Sequence, residues 1–518
     1  MQMRLTSEGV EVPRSEIERV LKKAADLIRT RVDYKYILIL LFLKKLSDEW
    51  WAEYKNAVEI LQKEKNLDEK EAKELAKDSS FHRFNFPVQY TWERLRKVSA
   101  SELPIKLAEA LKLLADRNKE LQGVVDRLDF LEFTMHRENL EILRQLFEEF
   151  SNLNLEKVSP DVLGDAYEWI LRYFAPQKAK EGEVYTPREV IKLLVELLEP
   201  KPLEHVYDPA AGSGGMLIIS YYYVKREHGE AGARKLFLFG QEVNPTTYAL
   251  AKMNAILHGI RDVKLYVGDT LLSPKIKEGE TFKRFDVVIA NPPWNQDGYG
   301  EERLRKAEAN EERYPFGYPP NNSADWAWIQ HMLASAKDDT GRVGVVIDNG
   351  ALFRGGREKR IRAKMLSRKN DFIECVILLP EKLFYNTGAP GAIIILRKNK
   401  PPERKGKVLF INASNEYEKH SEVRKLNRLG DEHIEKIVKA YREFKDEDGF
   451  SRVVDLEEIR ENDYNLNVTL YVFPQEELEE IDVAKEWKEL RAIEREIARV
   501  EEKIEGYLAE LGFNGGFK

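Results

Sequence analysis

The chain has 518 residues, which is more than one ordinary domain core holds, so we expect two or three domains. Hydrophobic residues make up 43% and charged residues 33%, which is typical of a globular protein. A single cysteine, Cys375, excludes an internal disulfide bond and a cysteine-clustered zinc site. The longest apolar run, residues 36–43, is far shorter than the roughly 18–20 residues of a membrane-spanning helix, and no signal-peptide pattern opens the chain. We therefore expect a cytoplasmic protein with no membrane contact.

The formal net charge of −7 argues against a protein that holds nucleic acid by itself over a broad face. Nonspecific affinity for DNA comes mainly from lysine and arginine side chains that neutralise phosphates. If DNA is the substrate, we expect a partner to contribute to its binding.

The predicted elements change in type along the chain. Up to about residue 170 the charged and apolar residues recur at helical spacing with few glycines, as in 17–30, 105–121 and 140–153, which predicts helices. From about Val206 onward, short β-branched or aromatic runs separate helical segments, which predicts a mainly parallel α/β sheet. The predicted strands are 206–207, 236–239, 263–267, 285–290, 343–347, 372–379 and 392–396. Residues 295–324, rich in charge, Tyr, Pro and Gly, are too long for a routine connection and are a candidate substrate loop.

The first predicted strand runs into a glycine loop, Asp-Pro-Ala-Ala-Gly-Ser-Gly-Gly over residues 208–215. Glycines allow a sharp turn close to a ligand, and the helix that follows offers free N–H groups. The loop lacks the G-x-G-x-x-G pattern and the lysine of a phosphate-binding loop, so dinucleotides and nucleoside triphosphates fit poorly. Taken alone, it is equally compatible with a tight turn that binds nothing.

Acidic residues follow the next two predicted strands. Glu242 comes after the second strand, where a carboxylate can hold a ribose diol, and Asp269 comes after the third, where it can accept from an adenine amine. A single acid at a strand end is more often a solvated turn residue or a helix cap. Three successive strand ends with a glycine loop, a diol acceptor and an amine acceptor indicate a nucleoside site.

The fourth predicted strand ends in Asn291-Pro-Pro-Trp294, the most specific motif in the chain. An exocyclic amine on a heteroaromatic ring is a poor nucleophile, because its lone pair is delocalised. The Asn291 side-chain carbonyl and the Pro292 backbone carbonyl can each accept one N–H and so localise that lone pair, while the prolines keep the acceptors in place. Trp294 offers a face for base stacking. Such a site cannot reach a base inside a duplex, so the target base must be flipped out.

Together these motifs resemble the amino-methyltransferases that use S-adenosylmethionine on adenine. Four longer strings are similar to the modification subunit of type I restriction-modification systems, over a resemblance that runs from the N-terminal helices to about Leu396. The strings are residues 36–50, 183–188, 240–254 and 349–357.

The resemblance implies the S-adenosylmethionine-dependent methyltransferase fold, a doubly wound, mainly parallel sheet, for a catalytic domain over residues 171–472. An N-terminal helical domain would cover 1–170 and a C-terminal helical tail 473–518. The expected catalytic residues around the target adenine are Asn291, Pro292, Pro293 and Trp294. The expected residues around S-adenosyl-L-methionine are Glu183, Val184, Tyr185, Thr186, Pro187, Asp208, Ala210, Gly212, Ser213, Gly214, Gly215, Glu242, Asp269, Thr270 and Leu271.

Two positions depart from the family pattern. Ala211 stands where cysteine is frequent, and a small residue suffices there. Trp294 replaces the more common phenylalanine or tyrosine and keeps a stacking face. Phe384 could cover the other face of the base, although burial in the core is the expectation we prefer.

The C-terminal tail carries a heptad seam, because its apolar residues are spaced alternately three and four apart. The seam is Leu490, Ile493, Ile497, Val500, Ile504, Tyr507 and Leu511. Periodicity alone is equally compatible with packing on the chain's own domain. The resemblance implies docking on a DNA-specificity subunit, in a complex with a second copy of this chain and a restriction subunit.

Other functions stay open at this point. A self-sufficient DNA adenine methyltransferase would need its own recognition domain and a basic face, and neither is visible. Asn-Pro-Pro motifs also occur in enzymes that methylate RNA bases or protein glutamine. An inactive scaffold for a specificity subunit is disfavoured by the intact acceptor motif.

Overall fold

A computed structural model describes residues 14–28, 32–135, 137–179, 185–385, 387–420, 423–473 and 483–510. The chain divides into two compact units between Phe473 and Pro474. None of the described helices has both the length and the apolar composition needed to span a membrane.

The first part of the chain is helical, as predicted. The long helix α2 contains the apolar run 36–43, and every side chain of that run is buried because neighbouring helices surround it. The predicted segment 105–121 is helical only to Arg117. The helices are α1 (Arg14–Ile28), α2 (Lys35–Lys65), α3 (Glu69–Leu75), α4 (Trp92–Leu95), α5 (Leu103–Arg117), α6 (Arg137–Ser151) and α7 (Pro160–Ala179).

A nine-stranded sheet forms the centre of the larger unit, with strand order β13-β10-β8-β9-β7-β6-β1-β2-β3. Its strands are β1 (His205–Asp208), β2 (Phe237–Glu242), β3 (Val263–Val267), β6 (Val287–Ala290), β7 (Arg342–Asp348), β8 (Ile373–Leu378), β9 (Gly391–Arg397), β10 (Lys407–Asn412) and β13 (Ser451–Asp455). The strands β4 (Lys277–Glu278) with β5 (Thr281–Phe282), and β11 (Glu418–Lys419) with β12 (Asn427–Arg428), form two small hairpins.

Most neighbouring strands are parallel. β3, β2, β1, β6 and β7 all run in one direction, and β8 is parallel to β10. β9 is antiparallel to both of its neighbours, and β13 is antiparallel to β10. All seven predicted strands are present, and the expected mainly parallel α/β sheet is confirmed.

Apolar cores cover both faces of this sheet. Along β6, Val287 and Ile289 enter one core while Val288 and Ala290 enter the other, as the alternation of a strand requires. The covering helices are α8 (Arg188–Leu198), α9 (Gly215–Ala233), α10 (Pro245–Leu257), α13 (Asp325–Ser335), α14 (Gly356–Met365), α15 (Asp431–Glu443) and α16 (Leu456–Glu461). Two short helices, α11 (Glu301–Leu304) and α12 (Asn310–Arg313), lie between β6 and α13, and Leu304 packs in a separate small core.

Helix α10 joins the helical part to the sheet. Leu250 and Met253 pack in the N-terminal core, whereas Ala251 and Ala255 pack in a core of the sheet. The Tyr167 hydroxyl of α7 also donates to the Leu250 carbonyl at 3.0 Å. The N-terminal helices therefore stand directly beside the carboxyl ends of β1 and β2.

The smaller unit contains one described helix, α17 (Val483–Glu510). The predicted seam lies on it except Leu511, which is outside the described residues. The other six seam side chains are each 47–65% exposed: Leu490, Ile493, Ile497, Val500, Ile504 and Tyr507.

Candidate active site

The carboxyl ends of β1, β2, β3 and β6 meet at a cavity of about 340 Å³. That volume lies within the range of small-molecule and cofactor sites. Twelve of the residues expected from the sequence line it: Tyr185, Thr186, Asp208, Ala210, Gly212, Ser213, Gly215, Glu242, Asp269, Thr270, Asn291 and Pro293. The cavity thus brings together the glycine loop, both strand-end acids and the acceptor motif.

The glycine loop has a conformation that other residues adopt with difficulty. Gly212 has φ +51° and Gly214 has φ +85°, both in the left-handed region that favours glycine. A Cβ on Gly240 of β2 would lie 3.0 Å from the Ala211 Cβ and 2.6 Å from the Leu265 side chain. Gly240 therefore packs closely against Ala211, which is itself buried.

Glu242, at the end of β2, stabilises the glycine loop. Its Oε2 accepts from the Gly212 amide at 2.9 Å, and its Oε1 accepts from the Asn244 amide at 2.8 Å. Asn244 in turn caps α10 by accepting from the Thr246 amide at 2.9 Å, with Pro245 at the first helical position. The carboxylate that faces the cavity is therefore fixed by backbone donors on two sides.

Asp208 is a fully buried acid at the end of β1. Its Oδ1 accepts from the Ala210 amide at 3.0 Å. Burial, reinforced by the charge of Glu242, raises the pKa of Asp208 to about 8. At neutral pH this carboxyl group is largely protonated unless a cation joins it.

Asp269 is held by the segment that interrupts the sheet, residues 295–324. Its Oδ2 accepts from the Tyr299 hydroxyl at 2.7 Å and lies 3.5 Å from an Arg303 nitrogen. Arg313, buried completely, donates to the carbonyls of Thr270 at 2.7 Å and Leu271 at 3.0 Å. The insertion therefore shapes the backbone that presents Asp269 to the cavity.

The acceptor motif is organised around the Asn291 amide. Its Nδ2 donates to the Thr186 hydroxyl at 2.8 Å, and its Oδ1 accepts from the Trp294 indole N–H at 2.8 Å. An indole nitrogen can only donate, so the Asn291 atom that contacts it must be the side-chain oxygen and not the nitrogen. The Trp294 ring meets Phe384 edge-on, with centroids 4.7 Å apart, and Phe384 is buried as expected.

The acids of the cavity favour a cationic ligand, which would also favour the ionised form of Asp208. Four acids line it, Glu168, Asp208, Glu242 and Asp269, beside a single arginine, Arg188. Arg188 is paired with Asp165 at 2.6 Å and Glu168 at 3.1 Å. Within the described residues there is no cluster of acids, histidines and cysteine able to hold a metal ion.

Some expected residues are near the cavity without lining it. Pro187 precedes α8, Gly214 caps α9, and the side chain of Leu271 packs in a neighbouring core. Pro292 is buried and is not among the lining residues, and Trp294 reaches the site through its bond to Asn291. Glu183 and Val184 lie outside the described residues.

Several lining residues were not anticipated from the sequence. The N-terminal helical part contributes Tyr34, Glu168, Leu171 and Ala175, and helix α10 with the loop before it contributes Asn244, Thr247 and Leu250. Gln296 and Tyr299 come from the insertion over residues 295–324. The unusual length of that segment is visible in the sequence and could have indicated that it contributes to the site. Residues of α7 carry no local motif, and only the fold brings them to the site.

The site has a clear set of relatives. A model of the N-6 DNA Methylase family matches residues 158–480, more than half of the chain, and a model of the HsdM N-terminal domain matches residues 17–150. A type I restriction enzyme methylase subunit of Methanocaldococcus jannaschii, MjaVIII, is 48% identical over 98% of this chain and 86% of its own length. The chain belongs to the methylase subunits of type I restriction enzymes.

More distant relatives agree. The HindI methylase subunit of Haemophilus influenzae is 31% identical over 82% of this chain and all of its own length. The crystal structure of a type I restriction-modification methyltransferase subunit from Streptococcus thermophilus superposes with a TM-score of 0.74 at 29% identity, covering 89% of this chain and 100% of that one. This methylase subunit is an N6-adenine DNA methyltransferase, and its cofactor is S-adenosylmethionine.

Proposed function

We propose that the cavity holds S-adenosylmethionine and that Asn291 to Trp294 hold a flipped-out adenine beside it. The observation that carries the proposal is the Asn291 side chain, whose oxygen orientation is fixed by the donor-only indole of Trp294. The oxygen of Asn291 and the carbonyl of Pro292 would each accept one N–H of the target amine. Both acceptors would be in position before the substrate binds, because Pro292 and Pro293 restrict the backbone.

The acidic cavity fits this cofactor. S-adenosylmethionine is a cation that supplies an electrophilic methyl group. Glu242 would accept from its ribose and Asp269 from its adenine, while the backbone of the glycine loop would hold its amino-acid end. Asp208, at the start of that loop, would ionise next to a positively charged ligand, because an opposite charge lowers a raised carboxyl pKa.

Without a target base, Asn291 Oδ1 is engaged by Trp294. An incoming adenine amine would share that oxygen through its second lone pair or displace the indole N–H. The indole ring then offers a stacking face, while its edge contact with Phe384 limits how far it can turn.

We propose further that DNA sequence recognition is supplied by a specificity subunit and that the exposed seam of α17 docks on its helices. The acidic net charge and the six half-exposed apolar side chains of α17 support this division of labour. The proposed parts are the helical region to about residue 170, the catalytic region to 472 and the tail. A second copy of this chain and a restriction subunit would complete a cytoplasmic complex.

The test of the catalytic assignment is Asn291→Ala, assayed in the complex with the specificity subunit. Methyl transfer should fall roughly 100-fold or more, as when one transition-state hydrogen-bonding group is removed elsewhere. The dissociation constant for S-adenosylmethionine, measured by calorimetry, should change little, because Asn291 is assigned to the target amine. Asn370→Ala, far from the site before β8, is the matched control. Near-normal transfer by Asn291→Ala would remove Asn291 from the mechanism.

A further inference from the structure

Arg354 follows the turn after β7, in the family-like string 349–357 to which the functions above give no role. Its Nη1 donates to the side-chain oxygen of Asn295 at 2.7 Å. Asn295 is the residue directly after the acceptor motif Asn291 to Trp294. Arg354, which follows β7, thus contacts the side chain of a residue that lies just past the neighbouring strand β6.

Asn295 has an unusual backbone conformation, with φ +51°. Asparagine tolerates the left-handed region better than most residues, but such a conformation persists only when its surroundings enforce it. Two contacts do so here. The Asn295 amide donates to Asp325 Oδ1 at 2.9 Å, and Arg354 holds the Asn295 side chain.

Arg354 also ties together the two ends of the insertion. Its Nη2 donates to Asp325 Oδ2 and, at 3.1 Å, to the Ser323 hydroxyl, while its Nε donates to Glu358 Oε2 at 2.7 Å. Asn295 begins the insertion, and Ser323 and Asp325 close it at the start of α13. We name these five residues, Asn295, Ser323, Asp325, Arg354 and Glu358, the Arg354 cluster.

The acids of the Arg354 cluster depend on the guanidinium. Asp325 and Glu358 are each 1% exposed, and a third acid, Asp348, accepts from Arg354 Nη1 at 3.0 Å. Burial raises the pKa of Asp325, although Arg354 opposes that shift. Buried carboxylates without a partner are costly, and Arg354 hydrogen-bonds all three of these acids, while Arg362 adds a second positive charge near Glu358. Lysine has no planar fork of five donors and cannot replace these contacts.

We propose that Arg354 is a positioning residue for methyl transfer: it holds Asn295 in its left-handed conformation and thereby fixes the acceptor motif and both ends of the insertion. The inference rests on the proposed role of Asn291 to Trp294. Arg354 does not line the cavity, and the insertion residues that do, Gln296 and Tyr299, have their own contacts with Trp328 and Asp269. The effect of Arg354 should therefore fall on the target amine and leave the cofactor in place.

The test compares Arg354→Lys and Arg354→Met with the wild type in the complex with the specificity subunit. The kcat for methylation should fall about 10- to 100-fold, because misplacement of a reacting group by about 1 Å has such an effect. The dissociation constant for S-adenosylmethionine and the KM for DNA should each stay within about threefold, since the proposal assigns Arg354 no contact with either ligand. Hydrogen exchange of the Asn295 amide should accelerate, while exchange of the β7 amides should not.

Arg342 provides a matched control at the other end of β7. It is also buried, it pairs with Glu204 at 2.7 Å, and it bonds the carbonyls of Leu198 and Glu199. Arg342→Lys should lower the unfolding midpoint without changing kcat of the folded enzyme. If Arg354→Lys and Arg342→Lys both lose kcat, each in proportion to its loss of stability, the positioning role of Arg354 is wrong.

A second pair of variants tests the conformational step itself. Asn295→Gly keeps access to positive φ, whereas Asn295→Val opposes it because β-branched residues avoid that region. Asn295→Val should therefore lose more kcat than Asn295→Gly. The double variant Arg354→Met with Asn295→Val should have a kcat only a little lower than that of either single variant, since both changes act through one conformation.

Additive losses, equal effects of glycine and valine, or an unchanged Asn295 exchange rate would each contradict the inference. An inactive wild-type complex would instead refute the proposed function. The two failures are therefore distinguishable, because the exchange measurement on the Asn295 amide needs no substrate.

Discussion

At the scale of single residues, the carboxyl group of Asp208 has a pKa far above its usual range. The fold buries this carboxyl group beside Glu242, and its pKa is raised from 3.8 to about 8. Between those two values the folded chain holds a proton that the unfolded chain has released. Asp208 therefore makes a contribution to stability that is complete below about pH 4 and is lost as the pH rises toward 8.

Asp208→Asn, which mimics the protonated acid, removes this dependence. The free energy of unfolding of the variant should rise relative to wild type between about pH 4 and pH 8 and then level off, by an amount on the order of a few kcal/mol. Urea unfolding of the ligand-free chain at several pH values measures it. Asp339→Asn, an exposed acid before β7, is the control and should show no such trend. Parallel pH profiles for Asp208→Asn and wild type would mean that Asp208 ionises normally.

Residue types at strand ends could be predicted because each has a local chemical reason. Gly212 and Gly214 have positive φ, Glu242 accepts backbone donors beside the cavity, and Asn291 presents an oxygen. Arg313 could not be predicted, because a charged side chain with no exposed surface contradicts its usual environment. Its burial depends on carbonyls that only the folded insertion brings near it.

At the scale of elements, strand positions followed from apolar runs, but strand directions did not. β9 lies antiparallel between β7 and β8, and this placement depends on the connection from β8 rather than on its own residues. The edge strand β13 and its neighbour β10 were not predicted. Of the five β13 residues, two are buried, two are partly buried and one is exposed, so its apolar pattern is weak.

The insertion over residues 295–324 is an ordered element and not an open loop. It contains α11 and α12, and Tyr299, Leu304 and Tyr314 form a small core with Trp328 of α13. Sequence reasoning identified its unusual length, but not that its own apolar residues pack together. The Arg354 cluster joins the two ends of the insertion, so we expect the insertion and the acceptor motif to move together.

Helix α17 is the element that we propose docks on a specificity subunit. Replacing Ile497 and Ile504 with Asp puts two charges into the exposed seam. Co-purification with the specificity subunit and site-specific methylation should both be lost, since a coiled-coil seam requires apolar residues at these positions. Binding of S-adenosylmethionine should persist, because the residues that line the proposed cofactor cavity end at Trp328, far before α17 in the chain.

Ala492→Asp with Ala498→Asp is the matched control for the seam. It adds the same charge to the same helix outside the seam positions, and it should leave the complex intact. A truncation after Val472 should behave like the seam variant. If the truncated chain still assembles with its partner and methylates normally, α17 has no docking role.

At the scale of the whole molecule, the sheet edge, the N-terminal helices and the insertion form one cavity within the larger unit. We propose that this cavity holds the cofactor. The net charge of −7 supports the proposal that a partner contributes to DNA binding. Sequence motifs alone could indicate the chemistry of the site, but the contribution of α7 to its wall required the packed structure.

The central claim is that this chain methylates adenine N6 at a DNA site chosen by a specificity subunit. The direct measurement is mapping of N6-methyladenine in DNA after incubation with S-adenosylmethionine, with the specificity subunit added or withheld. We expect methylation at one defined sequence only when the specificity subunit is present, and none with Asn291→Ala. Site-specific methylation by the chain alone, or methyl groups on another base, would contradict the account.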